Sequence, residues 1–171
     1  MSLTERAIAA TGQDISISRM TEHDLLEVVE IEESSGLSRW GWAAYYAELQ
    51  GANSHLMLVA RIIEAERRPH RFGIAGYIVA RIGADELHIN NVAVRETYRR
   101  QGIGQALLER ILAEGKRSNI LTAFLELRAG NASALALYED CGFRVTARRS
   151  KYYTDPVEDA LVMIVQLERE A

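Results

Sequence analysis

Apolar residues alternate over some stretches of this 171-residue chain and recur at helical spacing over others. Alternating or continuous apolar runs bounded by polar turns predict strands at residues 15–18, 55–63, 72–82, 87–94, 121–128, 143–153 and 160–167. Amphipathic stripes predict helices at residues 25–33, 39–49, 104–118 and 132–141. Because strands both precede the helices and alternate with them, the order predicts a mixed sheet covered by helices.

Local signals support several of these boundaries. The run from Thr21 to Asp24 resembles a capping box at the start of the first helix, and Ser38 is a predicted N-cap for the second. Residues 64–71 are too polar to be buried, so they predict a mobile tip between two strands.

The strand at residues 87–94 changes the phase of its apolar alternation. Large apolar residues before the asparagine pair at 90–91 share one face, whereas Val92 and Val94 fall on the opposite parity. An extra residue in one strand has this effect, so a β-bulge is predicted at 90–91. A bulge would free the main chain of Val92, Ala93 and Val94 to pair with an extended, amide-bearing ligand. The alternative is a simple irregularity of a sheet edge.

A basic turn punctuated by glycines joins this strand to the next helix. Its residues are Arg99, Arg100, Gln101, Gly102, Ile103, Gly104 and Gln105. Unpaired N–H groups at a helix start attract anions, the glycines allow close approach, and the arginines, with Arg95, supply charge. A nucleoside-triphosphate loop would need Lys-Ser/Thr after the last glycine, and a dinucleotide fingerprint a small residue at position 107; neither is present. The turn therefore predicts a pyrophosphate site, with a purely structural turn as the alternative.

Composition excludes several classes of protein. The length and the 48% hydrophobic content fit one domain over residues 1–171, with a loose lead-in at 1–13. A net charge of −4 argues against direct nucleic-acid binding. The single cysteine, Cys141, excludes an internal disulfide, and no cysteine or histidine cluster predicts a metal. No apolar run suits a signal peptide or a membrane span, so we expect a cytoplasmic protein without membrane contact, either a monomer or a weak homodimer.

Three residues after the basic turn could carry chemistry. Glu126 lies within an otherwise apolar strand, where it is either a structural partner of Arg128 or a general base with a raised pKa. Asn131 is either an N-cap or a ligand for an amide group of a cofactor. Tyr138 either packs in the core or donates a proton.

Several spaced motifs over residues 87–163 resemble the ribosomal-protein-alanine N-acetyltransferases of the GNAT superfamily. They are N-V-A-V at 91–94, the turn and helix start at 99–108, L-E-L-R-A-G-N at 125–131, A-L-A-L-Y-E at 134–139, G-F at 142–143, K-Y-Y at 151–153 and E-D-A-L-V-M at 158–163. The N-terminal half departs from the family, because Arg-Trp-Gly stands at 39–41 where members tend to have Pro-Trp-Ser.

The resemblance implies the GNAT fold, an α/β (α+β mixed) arrangement. In it, a mostly antiparallel sheet of about six to seven strands, splayed at a β-bulge, is flanked by about four helices. It also implies acetyl transfer from acetyl-CoA to the N-terminal α-amine of a protein, possibly alanine of a small-subunit ribosomal protein, with both substrates bound at once. Glu126 would accept a proton and Tyr138 would donate one. Acetyl-CoA would contact Val92, Ala93, Val94, Arg99, Arg100, Gln101, Gly102, Ile103, Gly104, Gln105 and Asn131. A small amine or a lysine as acceptor, and a CoA-binding module without turnover, are the alternatives.

Overall fold

The computed structural model describes residues 5–8, 14–37, 39–63 and 73–167. Its strands are β1 (Glu5–Ile8), β2 (Asp14–Arg19), β3 (Met57–Ile62), β4 (Ile74–Gly83), β5 (Glu86–Val94), β6 (Thr122–Arg128), β7 (Arg144–Thr154) and β8 (Val157–Gln166). Its helices are α1 (Leu25–Ser34), α2 (Gly41–Leu49), α3 (Ile103–Arg117) and α4 (Ala132–Asp140). The predicted cap at Ser38 and the predicted tip at 64–71 lie outside the described residues.

The strands form one sheet in the order β1-β2-β3-β4-β5-β6-β8-β7. The ladders with a described register are antiparallel, except that β5 and β6 run parallel. The predicted mixed, mostly antiparallel sheet with about four helices is therefore confirmed for the described residues.

The sheet has eight strands because part of the predicted lead-in is ordered. Glu5–Ile8 pairs with β2, from Glu5 opposite Ile17 to Ile8 opposite Asp14. A loose lead-in is thus wrong for these residues. Because of this pairing, the N–H and C=O groups on the outer edge of β2 have hydrogen-bond partners in the backbone of β1.

Two compact units make up the described chain. One is drawn from Met1–Ala80 and Asn91–Leu108, and the other from Arg81–Asn90 and Glu109–Ala171. Since β4, β5 and α3 each continue from one unit into the other, a single domain stays a prediction.

The core of the first unit is built on the apolar stripe of α1 and on two strands. Leu25, Val28 and Ile31 follow helical spacing and are fully buried. With them, the buried cluster comprises Met20, Tyr45, Met57, Val59, Ile74, Tyr77, Val79 and Ala93.

The core of the second unit follows the alternation of β6. Ala123, Leu125 and Leu127 are buried, whereas the residues between them face the other side of the sheet and are half-buried. α3 packs closely here, because a Cβ on Gly115 would lie 3.0 Å from Leu87 and 3.2 Å from Leu167.

The predicted change of phase in β5 is wrong. Burial alternates without interruption at Leu87, Ile89, Asn91 and Ala93. Asn91 occupies the buried position that the sequence pattern assigned to an apolar residue, and its Nδ2 donates to the Tyr45 hydroxyl.

The β-bulge at 90–91 was predicted from this change of phase, which is not present, and the bulge itself stays a prediction. The register shifts in the described ladders lie between β3 and β4 and between β7 and β8. The parallel ladder runs from Glu86 opposite Thr122 to Ile89 opposite Leu125, and both strands continue beyond it.

Candidate active site

The basic turn has the backbone conformation of a helix-start anion site. Arg100 and Gly102 have φ of 62° and 81°, so the chain turns through the left-handed region just before α3. Ala106 N–H donates to Gly102 C=O at 3.0 Å, and the N–H groups that precede it belong to the first turn of the helix. Arg99 is exposed, and its Nε donates to Val94 C=O at 3.0 Å. This arrangement suits an anion such as pyrophosphate.

Arg95 does not contribute its charge to that turn. Its Nη2 lies 3.4 Å from Glu27 Oε2 and 3.6 Å from Glu30 Oε2, both on α1, and its Nε donates to Ile74 C=O. The predicted role of Arg95 beside a phosphate is therefore wrong, because two carboxylates already compensate its guanidinium.

The predicted acetyl-CoA segment of β5 lies tightly against β4. A Cβ on Gly76 would sit 2.8 Å from the carbonyl oxygen of Ala93 and 3.2 Å from Val94. Arg95 N–H donates to Ala75 C=O at 2.7 Å at the end of the strand. The absence of a side chain at Gly76 thus allows this backbone to approach.

Glu126 is held by two groups from β7. Tyr152 hydroxyl donates to Oε2 at 2.7 Å, and Arg149 Nη1 lies 2.9 Å from Oε1. The Glu126 side chain is 15% exposed. This hydrogen bond is the main reason why the pKa of Tyr152 is raised. Two ordered donors fix the carboxylate and leave further lone pairs for a substrate.

Arg128 is not the partner of Glu126, so that alternative is wrong. Arg128 Nη1 lies 3.2 Å from Glu158 Oε2, and its guanidinium stacks 4.3 Å from the centre of the Tyr153 ring. Glu158 Oε1 also accepts from Gly130 N–H.

Asn131 and Tyr138 sit at the start and near the end of α4. Asn131 Oδ1 accepts from Ala134 N–H at 3.1 Å, which makes it the N-cap, and contact with a cofactor stays a prediction for this exposed residue. Tyr138 is 8% exposed and packs edge-on against Phe143. Burial raises the pKa of Tyr138, so its hydroxyl is protonated at neutral pH and is a weaker acid than an exposed tyrosine; its predicted role as a proton donor stays a prediction.

A buried carboxylate in the first unit escaped the sequence analysis. Glu32 is 1% exposed and accepts from Trp40 N–H at 2.8 Å, Gly41 N–H at 3.0 Å and Tyr45 hydroxyl at 2.7 Å. It therefore stabilises the N-terminus of α2. The signal in the sequence was an acidic residue on the apolar side of a predicted helix.

Tyr45 extends this network to the sheet. Its hydroxyl oxygen lies 2.8 Å from the Tyr77 hydroxyl and 2.9 Å from Asn91 Nδ2. Burial raises the pKa of both tyrosines, so both are protonated at neutral pH. Asn91 directly precedes Val92, where the predicted acetyl-CoA segment begins.

The fold of this chain is that of a family of acyltransferases. The pattern of the Acetyltransferase (GNAT) family matches residues 25–143, and the chain belongs to this family. The [ribosomal protein bS18]-alanine N-acetyltransferase of Escherichia coli is 41% identical over 96 residues, which cover 55% of this chain and 65% of that enzyme. The protein of the same name from Haemophilus influenzae is 30% identical over 154 residues, or 88% of this chain and 98% of that one.

Solved structures resemble the chain over most of its length. The crystal structure of the ribosomal-protein-S18-alanine N-acetyltransferase from E. coli has a TM-score of 0.75 and 31% identity, covering 92% of this chain and 96% of that one. Ard1 from Thermoplasma volcanium has a TM-score of 0.80 and 25% identity, covering 91% and 99%. The predicted GNAT fold is confirmed.

Neither a membrane-spanning helix nor a metal-binding cluster occurs in the part of the chain that the structure describes. No helix there is both long and apolar enough to cross a bilayer. No group of three or more His, Cys, Asp and Glu side chains in the described part is arranged to hold a metal ion.

Proposed function

We propose that this chain transfers the acetyl group of acetyl-CoA to the α-amine at the N-terminus of a protein in the cytoplasm. The acceptor we favour is an N-terminal alanine of a small-subunit ribosomal protein, because the relatives from E. coli and H. influenzae carry that activity in their names. The observation that carries the chemistry is the Glu126 carboxylate, fixed by Tyr152 and Arg149 and still open to a further donor.

An α-amine suits a carboxylate base. Its unperturbed pKa is about 7.7 to 8.0, so roughly a tenth is neutral at pH 7, against less than about a thousandth of a lysine side chain. Glu126 then takes the proton that the amine loses, directly or through water.

The remaining site residues bind acetyl-CoA and complete the proton balance. Arg99, Arg100 and the helix start at Ile103 fit its pyrophosphate, and the main chain from Val92 to Val94 fits its amide-bearing arm. Acetyl-CoA supplies the activated thioester. The Tyr138 hydroxyl gives its proton to the departing thiolate as the carbon–sulfur bond breaks, and the tyrosinate regains a proton from water.

A panel of amines tests the proposal. Thiol release from acetyl-CoA is measured with peptides that begin with alanine, serine or methionine, with N-blocked lysine peptides and with polyamines. We expect turnover with the alanine peptide and little with blocked lysine peptides. Preference for a polyamine or a lysine would reassign the acceptor, and binding of CoA without turnover would indicate a non-catalytic module.

A pair of variants tests the base. Glu126→Gln should lower kcat by about 10²–10⁴-fold while the Kd for acetyl-CoA changes little. Glu114→Gln is the matched control, because that carboxylate pairs with Arg110 and Arg117 on α3. Unchanged turnover of Glu126→Gln would remove Glu126 from the mechanism.

A further inference from the structure

The pairing of β7 with β8 is irregular between Arg149 and Tyr153. These two residues are four positions apart on β7, whereas their partners on β8 are two positions apart, with Asp159 between them. Residues 150–152 therefore form a bulge opposite Asp159. Because extra residues in one strand change the face that its side chains reach, this bulge decides where residues 150–152 point.

The bulge brings two consecutive tyrosines to one face of the sheet. In a regular strand, neighbouring side chains point to opposite faces. Here the Tyr152 hydroxyl donates to Glu126 Oε2 at 2.7 Å, and the Arg128 guanidinium lies 4.3 Å from the centre of the Tyr153 ring. Glu126 and Arg128 are two positions apart on β6, so they share a face. Without the bulge, Tyr152 would point away from Glu126.

Asp159 holds the bulge with both of its carboxylate oxygens. Oδ1 accepts from Lys151 N–H at 2.8 Å, and Oδ2 accepts from Arg148 Nε at 2.7 Å. Lys151 has a φ of 50°, in the left-handed region that residues other than glycine rarely adopt. The hydrogen bond from Lys151 N–H is the main reason why the pKa of Asp159 is lowered. The carboxylate is therefore charged at neutral pH, and it stabilises the bulge in that form.

The backbone of Asp159 is fixed to the strand that carries Glu126. Its C=O accepts from Ala129 N–H, next to the end of β6, at 2.9 Å. Asp159 thus connects the bulge of β7 to β6. Since Tyr152 is 44% exposed, its position depends on the backbone that carries it more than on burial.

Resting on the proposed function, we propose that Asp159 is a positioning residue for the proton acceptor Glu126, because it fixes the bulge of β7 in the shape that brings Tyr152 to the carboxylate. Asp159 acts through Tyr152 and takes no proton itself. This gives a role to the aspartate of the E-D-A-L-V-M motif at 158–163, which the proposed chemistry does not use.

The kinetics of three variants test the proposal. Asp159→Ala removes both acceptor oxygens, so kcat should fall by about tenfold to a hundredfold while the Kd for acetyl-CoA changes little. Asp159→Asn keeps an oxygen that can accept from Lys151 N–H, so it should recover most of kcat. Asp140→Ala is the matched control, because Asp140 is an exposed aspartate at the end of α4. Circular dichroism shows whether each variant is folded.

A titration measures the position of Tyr152 without turnover. The hydrogen bond to Glu126 raises the pKa of Tyr152. In Asp159→Ala this pKa should fall towards about 10, the ordinary value for tyrosine, whereas in Asp140→Ala it should stay raised. NMR of the protein with isotope-labelled tyrosine gives the pKa, and the Tyr152 signal is assigned by its loss in Tyr152→Phe.

A double variant shows whether Asp159 acts through Tyr152. In a Tyr152→Phe background, Asp159→Ala should lower kcat no further, because the hydroxyl that Asp159 positions is gone. Two results would overturn this proposal alone. One is a folded Asp159→Ala with wild-type kcat and a raised Tyr152 pKa, and the other is a loss of kcat that adds fully to that of Tyr152→Phe.

Two further outcomes are also decisive. If Asp159→Ala does not fold, Arg148→Ala replaces it, since the Arg148 side chain is 62% exposed. Loss of one of the two hydrogen bonds should then lower kcat and the Tyr152 pKa, and no change in either would overturn the proposal. If the wild-type enzyme transfers acetyl to no amine, the proposed function is refuted, and the titration still decides whether Asp159 positions Tyr152.

Discussion

The hydroxyl of Tyr45 is the centre of the buried network in the first unit, and Tyr45→Phe removes it with little change in volume. The hydroxyl group donates to Glu32 at 2.7 Å, and its oxygen lies 2.8 Å from the Tyr77 hydroxyl and 2.9 Å from Asn91 Nδ2. The ring is fully buried, so water cannot replace these contacts. The substitution leaves two donors without their acceptor and the Glu32 carboxylate with one donor fewer.

The expected decrease in the free energy of unfolding follows from these contacts. A buried polar group that loses its partner costs about 1–3 kcal/mol, and a hydrogen bond to a charged group is worth about 1.5–3 kcal/mol. Because Tyr77 can rotate its hydroxyl and the Glu32 carboxylate keeps two backbone donors, we expect about 3–4 kcal/mol rather than the full sum. For a chain of this length, that corresponds to a fall in Tm of about 6–16 °C.

Urea denaturation, monitored by circular dichroism, measures the decrease in the free energy of unfolding. The control is Tyr46→Phe, on the same helix, where the ring stacks on Trp42 and the free energy of unfolding should change by less than about 0.5 kcal/mol. If Tyr45→Phe loses less than about 1 kcal/mol, the network does not stabilise the fold in the way its distances indicate.

Three further predictions concern the site. Tyr138→Phe should slow turnover by about tenfold or more with the Kd for acetyl-CoA unchanged, and full activity in steady-state kinetics would leave that tyrosine a packing role only. Gly76→Ala places a Cβ 2.8 Å from the Ala93 carbonyl, so calorimetry should show about 1–3 kcal/mol of destabilisation and weaker acetyl-CoA binding. Gly83→Ala, with nothing within 4 Å, should change neither quantity. Burial raises the pKa of Cys141 to about 11, so only about a thousandth is thiolate at pH 8. Iodoacetamide should label Cys141 slowly, and faster as the pH rises towards 11, and Cys141→Ser should keep its turnover; a loss would favour a covalent acetyl-enzyme.

The sequence by itself determined the order and kind of the elements. Periodicity is a local property of the chain, so the alternation of β6 and the apolar stripe of α1 could be predicted without knowing which elements pack against them. The glycine and arginine pattern before α3 likewise indicated a turn and an anion site, because backbone freedom and charge are properties of those residues themselves.

Only the tertiary structure decided which polar groups meet. The sequence could not choose between Arg128 and another partner for Glu126, and the structure places Arg149 and Tyr152 there. The sequence pattern also predicted a break in the alternation at Asn90 and Asn91, whereas the fold buries Asn91 against Tyr45. A buried polar group must find a hydrogen-bond partner, and that partner comes from a strand or helix far along the chain, so its identity depends on packing that no local pattern records.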